Sequence, residues 1–231
     1  MPARRDLLKL LAAGAPAMIG AGLWPQALLA QAGSAGLIAP NVCALTPETT
    51  EGPYYIDPDL VRSDIREGLP GVAMALRLQV VDQTCRPIPG ARVDIWHCDA
   101  QGNYSGFAGQ GSDAARNTAG QTFLRGTQIA DDAGNVAFRS IYPGWYRGRT
   151  THVHFKVFLD RATLLTGQIF FPDQVSRAVF AQAPSYGGRN GQAIGNDQDG
   201  IARRAGAGAF AQVATSAAGG VDAAMVIGVL G

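Results

Sequence analysis

The chain has 231 residues, 47% of them hydrophobic and 16% charged, and a formal net charge of +1. That length and balance specify a folded domain with its own core and exclude a disordered chain. The near-neutral charge lacks the footprint of a nucleic-acid binder and offers nothing to a strongly anionic membrane.

Residues 1–32, MPARRDLLKLLAAGAPAMIGAGLWPQALLAQA, begin with basic residues, continue as an apolar stretch and end on Ala30-Gln31-Ala32, a small-x-small cleavage pattern. This is the layout of a secretory leader. The pair Arg4-Arg5 resembles a twin-arginine address, while Lys9, Pro16 and Pro25 break the run and disfavour a membrane span. Export to the periplasm or beyond is expected, with no span in the mature form; an uncleaved anchor is the alternative. Residues 33–45 read as a small-residue linker, and 46–231 as one domain without internal repeats.

Within that domain, VAMALRLQVVD (72–82) places Met74, Leu76, Leu78 and Val80 on one face at period two, which predicts a strand. TCRPIPG (84–90) is turn chemistry. ARVDIWHCD (91–99) alternates again, setting Val93 and Ile95 against Asp94 and Trp96. DDAGN (131–135) is a turn before the strand VAFRSI, and further strands are predicted at THVHFKVFL (151–159), GQIFF (167–171) and VDAAMVIGVL (221–230). DQVSRAVFAQAP (173–184) holds a short helix, and 184–200 reads as a polar loop. With 30 glycines and 13 prolines between short strands, the expected fold is all-β: a β-sandwich of mixed sheets with long active-site loops. Strand order in sequence does not give the topology.

An exported chain meets oxidising conditions. Cys43, Cys85 and Cys98 allow three single bridges. The turn-like surroundings of Cys43 and Cys85 favour that pair, and Cys98 reads as a small buried thiol. None has the neighbours of a thiolate zinc site.

His152 and His154 are two of the three histidines in the chain. Two apart on a strand, they share a face, the spacing of two cis metal ligands. The same spacing also arises as an ordinary half-buried pair. No acidic residue lies between Asp132 and Asp160, so an anionic partner for a metal must come from elsewhere. Tyrosine is the candidate, since a strong Lewis acid favours the phenolate. Tyr146 precedes His152 by a short RGRTT loop, and Tyr104 follows the strand carrying Trp96. Spacing alone does not single these two out of the six tyrosines.

Four segments resemble the intradiol ring-cleavage dioxygenases: TPETTEGPYY (46–55), PIPGARVDIWHCDAQGNYSGF (87–107), SIYPGWYRGRTTHVHFKV (140–157) and GQIFF (167–171). The ordered Tyr…Tyr…Arg-x-x-His-x-His pattern is the specific part. The resemblance implies a β-sandwich with one iron(III) per chain between its sheets, held by Tyr104, Tyr146, His152 and His154. It implies a catecholic substrate, opened between its hydroxylated carbons with O2 to a cis,cis-muconate-type product. Tyr146 would also serve as a base, and Arg149 would stabilise negative charge on the substrate. Gln168 matches a glutamine near the family's site, and Gly52 and Pro53 match a segment that walls its substrate pocket. Gln168 reads equally as a strand-edge hydrogen-bonding residue, and Gly52-Pro53 as a simple turn. Arg147 reads as solvated, Tyr54, Tyr55 and Tyr142 as packing or pocket-lining residues, and His97 as a structural histidine. The chain lacks room for the helical dimerisation segment of the catechol-type branch and looks like a smaller exported branch; a homo-oligomer is compatible with it. An exported sandwich that binds a ligand without catalysis, or a copper or zinc site using the histidines alone, are the competing readings.

Overall fold

Eight strands form two four-stranded sheets in the computed structural model, which describes residues 44–57, 59–110, 114–187, 193–216 and 219–230. The predicted leader, most of the linker and Cys43 lie outside the described residues. Cys85 is disulfide-bonded.

The strands are β1 (Ala73–Asp82), β2 (Arg92–Trp96), β3 (Arg125–Ile129), β4 (Asn135–Ile141), β5 (His152–Leu159), β6 (Ala162–Phe170), β7 (Gln212–Thr215) and β8 (Val221–Val229). Two short helices, α1 (Asp173–Gln182) and α2 (Gly200–Ala205), lie between β6 and β7. One sheet runs β4-β1-β8-β7 and is mixed, because β1 and β8 are parallel. The other runs β3-β2-β5-β6 and is wholly antiparallel.

Period-two patterning builds the space between the sheets. Leu76, Leu78 and Val80 of β1 meet Val93, Ile95, Val153, Phe155, Val157 and Ile169 of the opposite sheet in one buried cluster. Each fully buried aliphatic side chain contributes roughly 1.5–3 kcal/mol. Gly167 lies opposite Phe155 in the β5/β6 register, and a Cβ there would collide with the Phe155 ring. The absent side chain is what lets that ring fill the core.

Strand boundaries differ from the sequence pattern in places. β6 starts at Ala162, before the predicted 167, because Leu165 and its neighbours pair with β5. The helix ends at Gln182 rather than 184. RGTQI (β3) and QVAT (β7) carry little apolar alternation and were not expected as strands; their backbone is recruited by pairing with β2 and β8. On β2, Asp94 and Trp96 lie on the face opposite Val93 and Ile95, as the alternation predicts, and that face is buried as well. The segment 46–57 and the described residues of the loop 97–124 cover that second face, packing Tyr54, Tyr55 and Tyr104 with Trp96. The tyrosine hydroxyl of Tyr55 donates to Asp94 Oδ2 (2.9 Å), Arg92 Nε to Asp94 Oδ1 (2.9 Å) and Thr127 Oγ1 to Asp94 Oδ1 (2.6 Å), so the buried carboxylate is fully partnered.

Candidate active site

Side chains two apart on a strand share a face, and Val153, Phe155 and Val157 of β5 face the core. His152 and His154 therefore point away from it, towards the covered outer face of the antiparallel sheet. Register completes a row there: Trp96 of β2 opposes His154, and His154 opposes Gln168 of β6. The centre thus lies beneath the strap 46–57 and the loops, not between the two sheets as the resemblance implied. Burial of alternate β5 side chains on both faces is the physical reason.

Tyr104 arrives from the 97–124 loop. Asp99 gathers the start of that loop by accepting from the backbone N–H groups of Gln101 and Asn103, each at 2.9 Å. The Tyr104 N–H donates to Gln110 Oε1 (3.0 Å), and Thr118 Oγ1 donates to the Tyr104 carbonyl (2.6 Å). Arg125, 2% exposed, ties this loop to the strap: its Nε donates to Ser105 Oγ (2.8 Å) and its Nη1 to the Tyr54 carbonyl (2.7 Å). Burial lowers the Arg125 guanidinium to about 10. The Tyr54 ring then stacks on Tyr104 with centroids 4.4 Å apart. Tyr146 arrives from the turn before β5, closed by a bond from the Arg149 N–H to the Tyr146 carbonyl (3.1 Å).

The four expected ligands come together around one atom. From His152 Nε2, the phenol oxygen of Tyr146 lies 3.1 Å away, that of Tyr104 3.3 Å, and His154 Nε2 3.1 Å. His152 Nδ1 lies 2.7 Å from the Thr150 carbonyl, an acceptor only, so the proton is on Nδ1 and the Nε2 lone pair faces the cluster. His154 Nδ1 is buried with no hydrogen-bond partner among the described residues. Packing orients this ring instead. Trp96 stacks on it, and a Cβ on Gly52 (φ +70°) would come within 3.2 Å of its Cε1.

Burial dominates the protonation states. It takes His152 down to about 3, helped by the positive charge of Arg149, and takes His154 well below the imidazole range. It holds the Tyr104 phenol well above its usual range and raises Tyr146 to about 12 against the opposing pull of Arg149. Without a cation, the four donors are neutral.

Among the described residues, no three His, Cys, Asp or Glu side chains cluster as metal ligands, so an ion here needs the phenols. The cluster fits one. Two donors each ~2.1 Å from a common ion stand about 3 Å apart at a right angle and somewhat farther apart at a tetrahedral angle, which is the spacing found. Two neutral imidazoles and two phenols that ionise on coordination suit a hard, highly charged cation.

Arg149 borders the cluster, with Nη1 3.3 Å from the Tyr146 oxygen. Its Nη2 donates to Gln168 Oε1, and Gln168 Nε2 donates to the Thr50 carbonyl (2.9 Å). Gln168 is therefore part of the site rather than a strand-edge residue. Gly52 touches the site, whereas Pro53 is exposed. Arg147 is exposed. His97 is buried and bonded to the Cys98 carbonyl (2.8 Å) and Ser140 Oγ (2.7 Å), away from the cluster. Tyr142 lies in the main core, and the Cys98 thiol faces the Gly144 carbonyl at 3.6 Å.

Sequence reading missed Trp96, Arg125 and Asp199 as parts of this arrangement, while Tyr54, read as a packing or pocket-lining residue, packs on Tyr104. Asp199, 1% exposed, accepts from Arg149 Nε at 2.8 Å. The carboxylate that pairs with Arg149 thus comes from fifty residues downstream. A local signal was present: Asp199 precedes a short helix and caps it.

The sandwich gathers two phenols and two imidazoles around one point under a strap, and a family model described as Dioxygenase matches residues 47–185. The chain belongs to the intradiol ring-cleavage dioxygenase family. A catechol 1,2-dioxygenase of Pseudomonas sp. (strain EST1001) is 41% identical over 106 residues, 44% of this chain and 32% of that protein. An intradiol ring-cleavage dioxygenase from Tetranychus urticae superposes with a TM-score of 0.74 at 32% identity, covering 81% of this chain and 95% of that one. The dioxygenase domain of a dioxygenase–carbohydrate-binding fusion from Streptomyces sp. SirexAA-E gives 0.58 at 26% identity, covering 80% and 97%. The chain spans between a third and a half of the length of the curated relatives it matches.

Proposed function

We propose that this chain cleaves a catechol between its two hydroxylated carbons, using O2 and one iron(III) held by Tyr104, Tyr146, His152 and His154. The convergence of those four donor atoms, each of the other three within 3.3 Å of His152 Nε2, carries the reading. The chemistry such an ion supplies when bound is Lewis acidity, which favours catechol as its dianion and makes the ring reactive towards O2.

The chain's own groups do the rest. A catechol must lose two protons to bind as a chelate, and the Tyr146 oxygen is the base placed to take one. Arg149 Nη1, 3.3 Å from that oxygen, stabilises negative charge as it shifts between phenol and substrate. The Thr150 carbonyl holds His152 in the tautomer whose Nε2 lone pair points inward. Gly52 leaves space against His154, and Gln168 keeps Arg149 against the site while anchoring the strap through Thr50. The strap and loops bury Tyr104, His152 and His154 and keep bulk water from them. Addition of O2 to catechol gives a ring-opened dicarboxylate of cis,cis-muconate type with both oxygen atoms retained, so no external reductant is needed.

We further infer export, from the Arg4-Arg5 leader pattern. Among the described residues, no helix is long and apolar enough to cross a membrane.

The test is iron(III) reconstitution followed by oxygen uptake across catechol, protocatechuate, hydroxyquinol and lignin-derived catechols. Red-brown colour from phenolate-to-iron charge transfer, with one O2 consumed per ring opened, is expected. Colourless protein that binds zinc or copper and consumes no O2 with any catechol would overturn the proposal.

A further inference from the structure

We propose that Asp199 is a positioning residue for ring cleavage, acting by fixing the aim of Arg149 at the Tyr146 oxygen. This rests on the proposed ring-cleavage reading.

Asp199 is fully engaged. Its Oδ2 accepts from Arg149 Nε (2.8 Å) and from the Thr150 N–H (3.0 Å). Its Oδ1 accepts from the N–H groups of Ile201 (2.8 Å) and Ala202 (3.3 Å), the first turn of α2. The two oxygens thus separate two jobs: Oδ1 caps a helix, and Oδ2 holds the turn that leads into β5. Burial favours the neutral acid, but the Arg149 guanidinium and the backbone donors outweigh it, and the carboxyl lies below its usual range.

Arg149 has three nitrogens, and each is assigned. Nε goes to Asp199, Nη2 to Gln168 Oε1, and Nη1 is left facing the Tyr146 oxygen at 3.3 Å and His152 Nε2 at 3.4 Å. A guanidinium is planar, so fixing Nε and Nη2 fixes where Nη1 points. The Asp199 side chain is 1% exposed and that of Arg149 16%. A pair this dry holds its geometry more firmly than a surface bridge. Gln168 alone is a neutral acceptor on one nitrogen and leaves rotation about the remaining bond unrestrained. Asp199 supplies the second point and, among the described residues, the only anion paired with Arg149.

Asp199→Asn keeps the side-chain size and removes the charge that pairs with Arg149. Whichever way its amide turns, an NH2 group faces either Arg149 Nε and the Thr150 N–H or the α2 N–H groups, donor against donor. Asp199→Ser keeps a helix-capping oxygen but is too short to reach Arg149. Both variants, Arg149→Ala, and the two doubles are reconstituted with iron(III). Iron content, the dissociation constant of catechol without oxygen, and kcat are measured for each.

Asp199→Asn and Asp199→Ser are expected to lower kcat at least tenfold while iron content and the anaerobic catechol dissociation constant move less than threefold. In the Arg149→Ala background, adding either change is expected to lower kcat less than twofold, because the group being aimed is gone. An additive loss in the double variants overturns the proposal. So does loss of iron in proportion to kcat, or insolubility of both single variants, since each would show that Asp199 supports the fold rather than the aim. If the parent protein opens no catechol, the ring-cleavage reading itself fails, and that is seen before any variant is compared.

Discussion

Trp96 and His154 lie face to face across the β2/β5 pair, ring centroids 4.9 Å apart and planes 11° from parallel. With no hydrogen bond at Nδ1 among the described residues, His154 depends on that stack for its orientation. Trp96→Leu is expected to lower iron(III) affinity at least tenfold, the scale seen when a ligand loses its supporting partner. It should also cost about 2–3 kcal/mol of stability through the cavity left in a fully buried position. Chelator competition and urea denaturation check the two effects separately.

Gly52 holds the other side of the same ring. An added methyl group would sit 3.2 Å from His154 Cε1 on a backbone at φ +70°. Gly52→Ala is expected to cost roughly 1–2 kcal/mol through left-handed backbone strain and to displace the ring, so iron retained after dialysis falls below that of the parent. A variant that keeps full iron and full melting temperature would contradict this close packing.

In the proposed mechanism Tyr146 is both ligand and base. Tyr146→Phe removes the oxygen that takes a catechol proton while leaving Tyr104, His152 and His154 in place. Turnover is expected to fall about 100-fold or more, with much of the iron kept. Metal analysis beside steady-state oxygen uptake tests the split; equal loss of metal and rate would assign Tyr146 to binding alone.

His97 sets a pH dependence of stability. Its Nδ1 donates to the Cys98 carbonyl and its Nε2 accepts from Ser140, and burial lowers it to about 4. In the unfolded chain it titrates near 6.5. Between those values, the unfolded state binds a proton that the folded state refuses, so stability falls as pH falls. The loss from this residue between pH 7 and pH 5 is about 2 kcal/mol. Urea denaturation of the parent and of His97→Asn at both pH values should show a correspondingly shallower loss in the variant.

The sequence shows the core strands because their signal is local. Met74, Leu76, Leu78 and Val80 alternate within one segment and are buried as read. The pair His152 and His154 is equally local, since two-residue spacing fixes a shared face. Which tyrosines join them is not local: Tyr104 is brought in by loop bonds to Gln110 and Thr118, and only the family pattern pointed to it. The alternation in β2 placed Asp94 and Trp96 opposite Val93 and Ile95 but gave no sign that this face is buried, because a strap from earlier in the chain covers it and no periodicity within β2 reports a remote cover. Asp199 was illegible for the same reason. Its cap pattern is visible in the sequence, but its second carboxylate oxygen reaches a residue whose proximity arises from the completed sandwich. Gln168 was ambiguous until register placed it opposite His154.

The last strand, β8, lies in the middle of its sheet, paired parallel to β1 along one edge and antiparallel to β7 along the other. Thr46, at the root of the strap, bonds Gly228 through both its N–H (2.8 Å) and its hydroxyl (3.0 Å). Pairing this distant in sequence makes assembly slow and late. The strap is thus rooted on β8, so a stop introduced before β8 is expected to leave it unseated and, on the proposed reading, to give a product that retains no iron(III) after reconstitution.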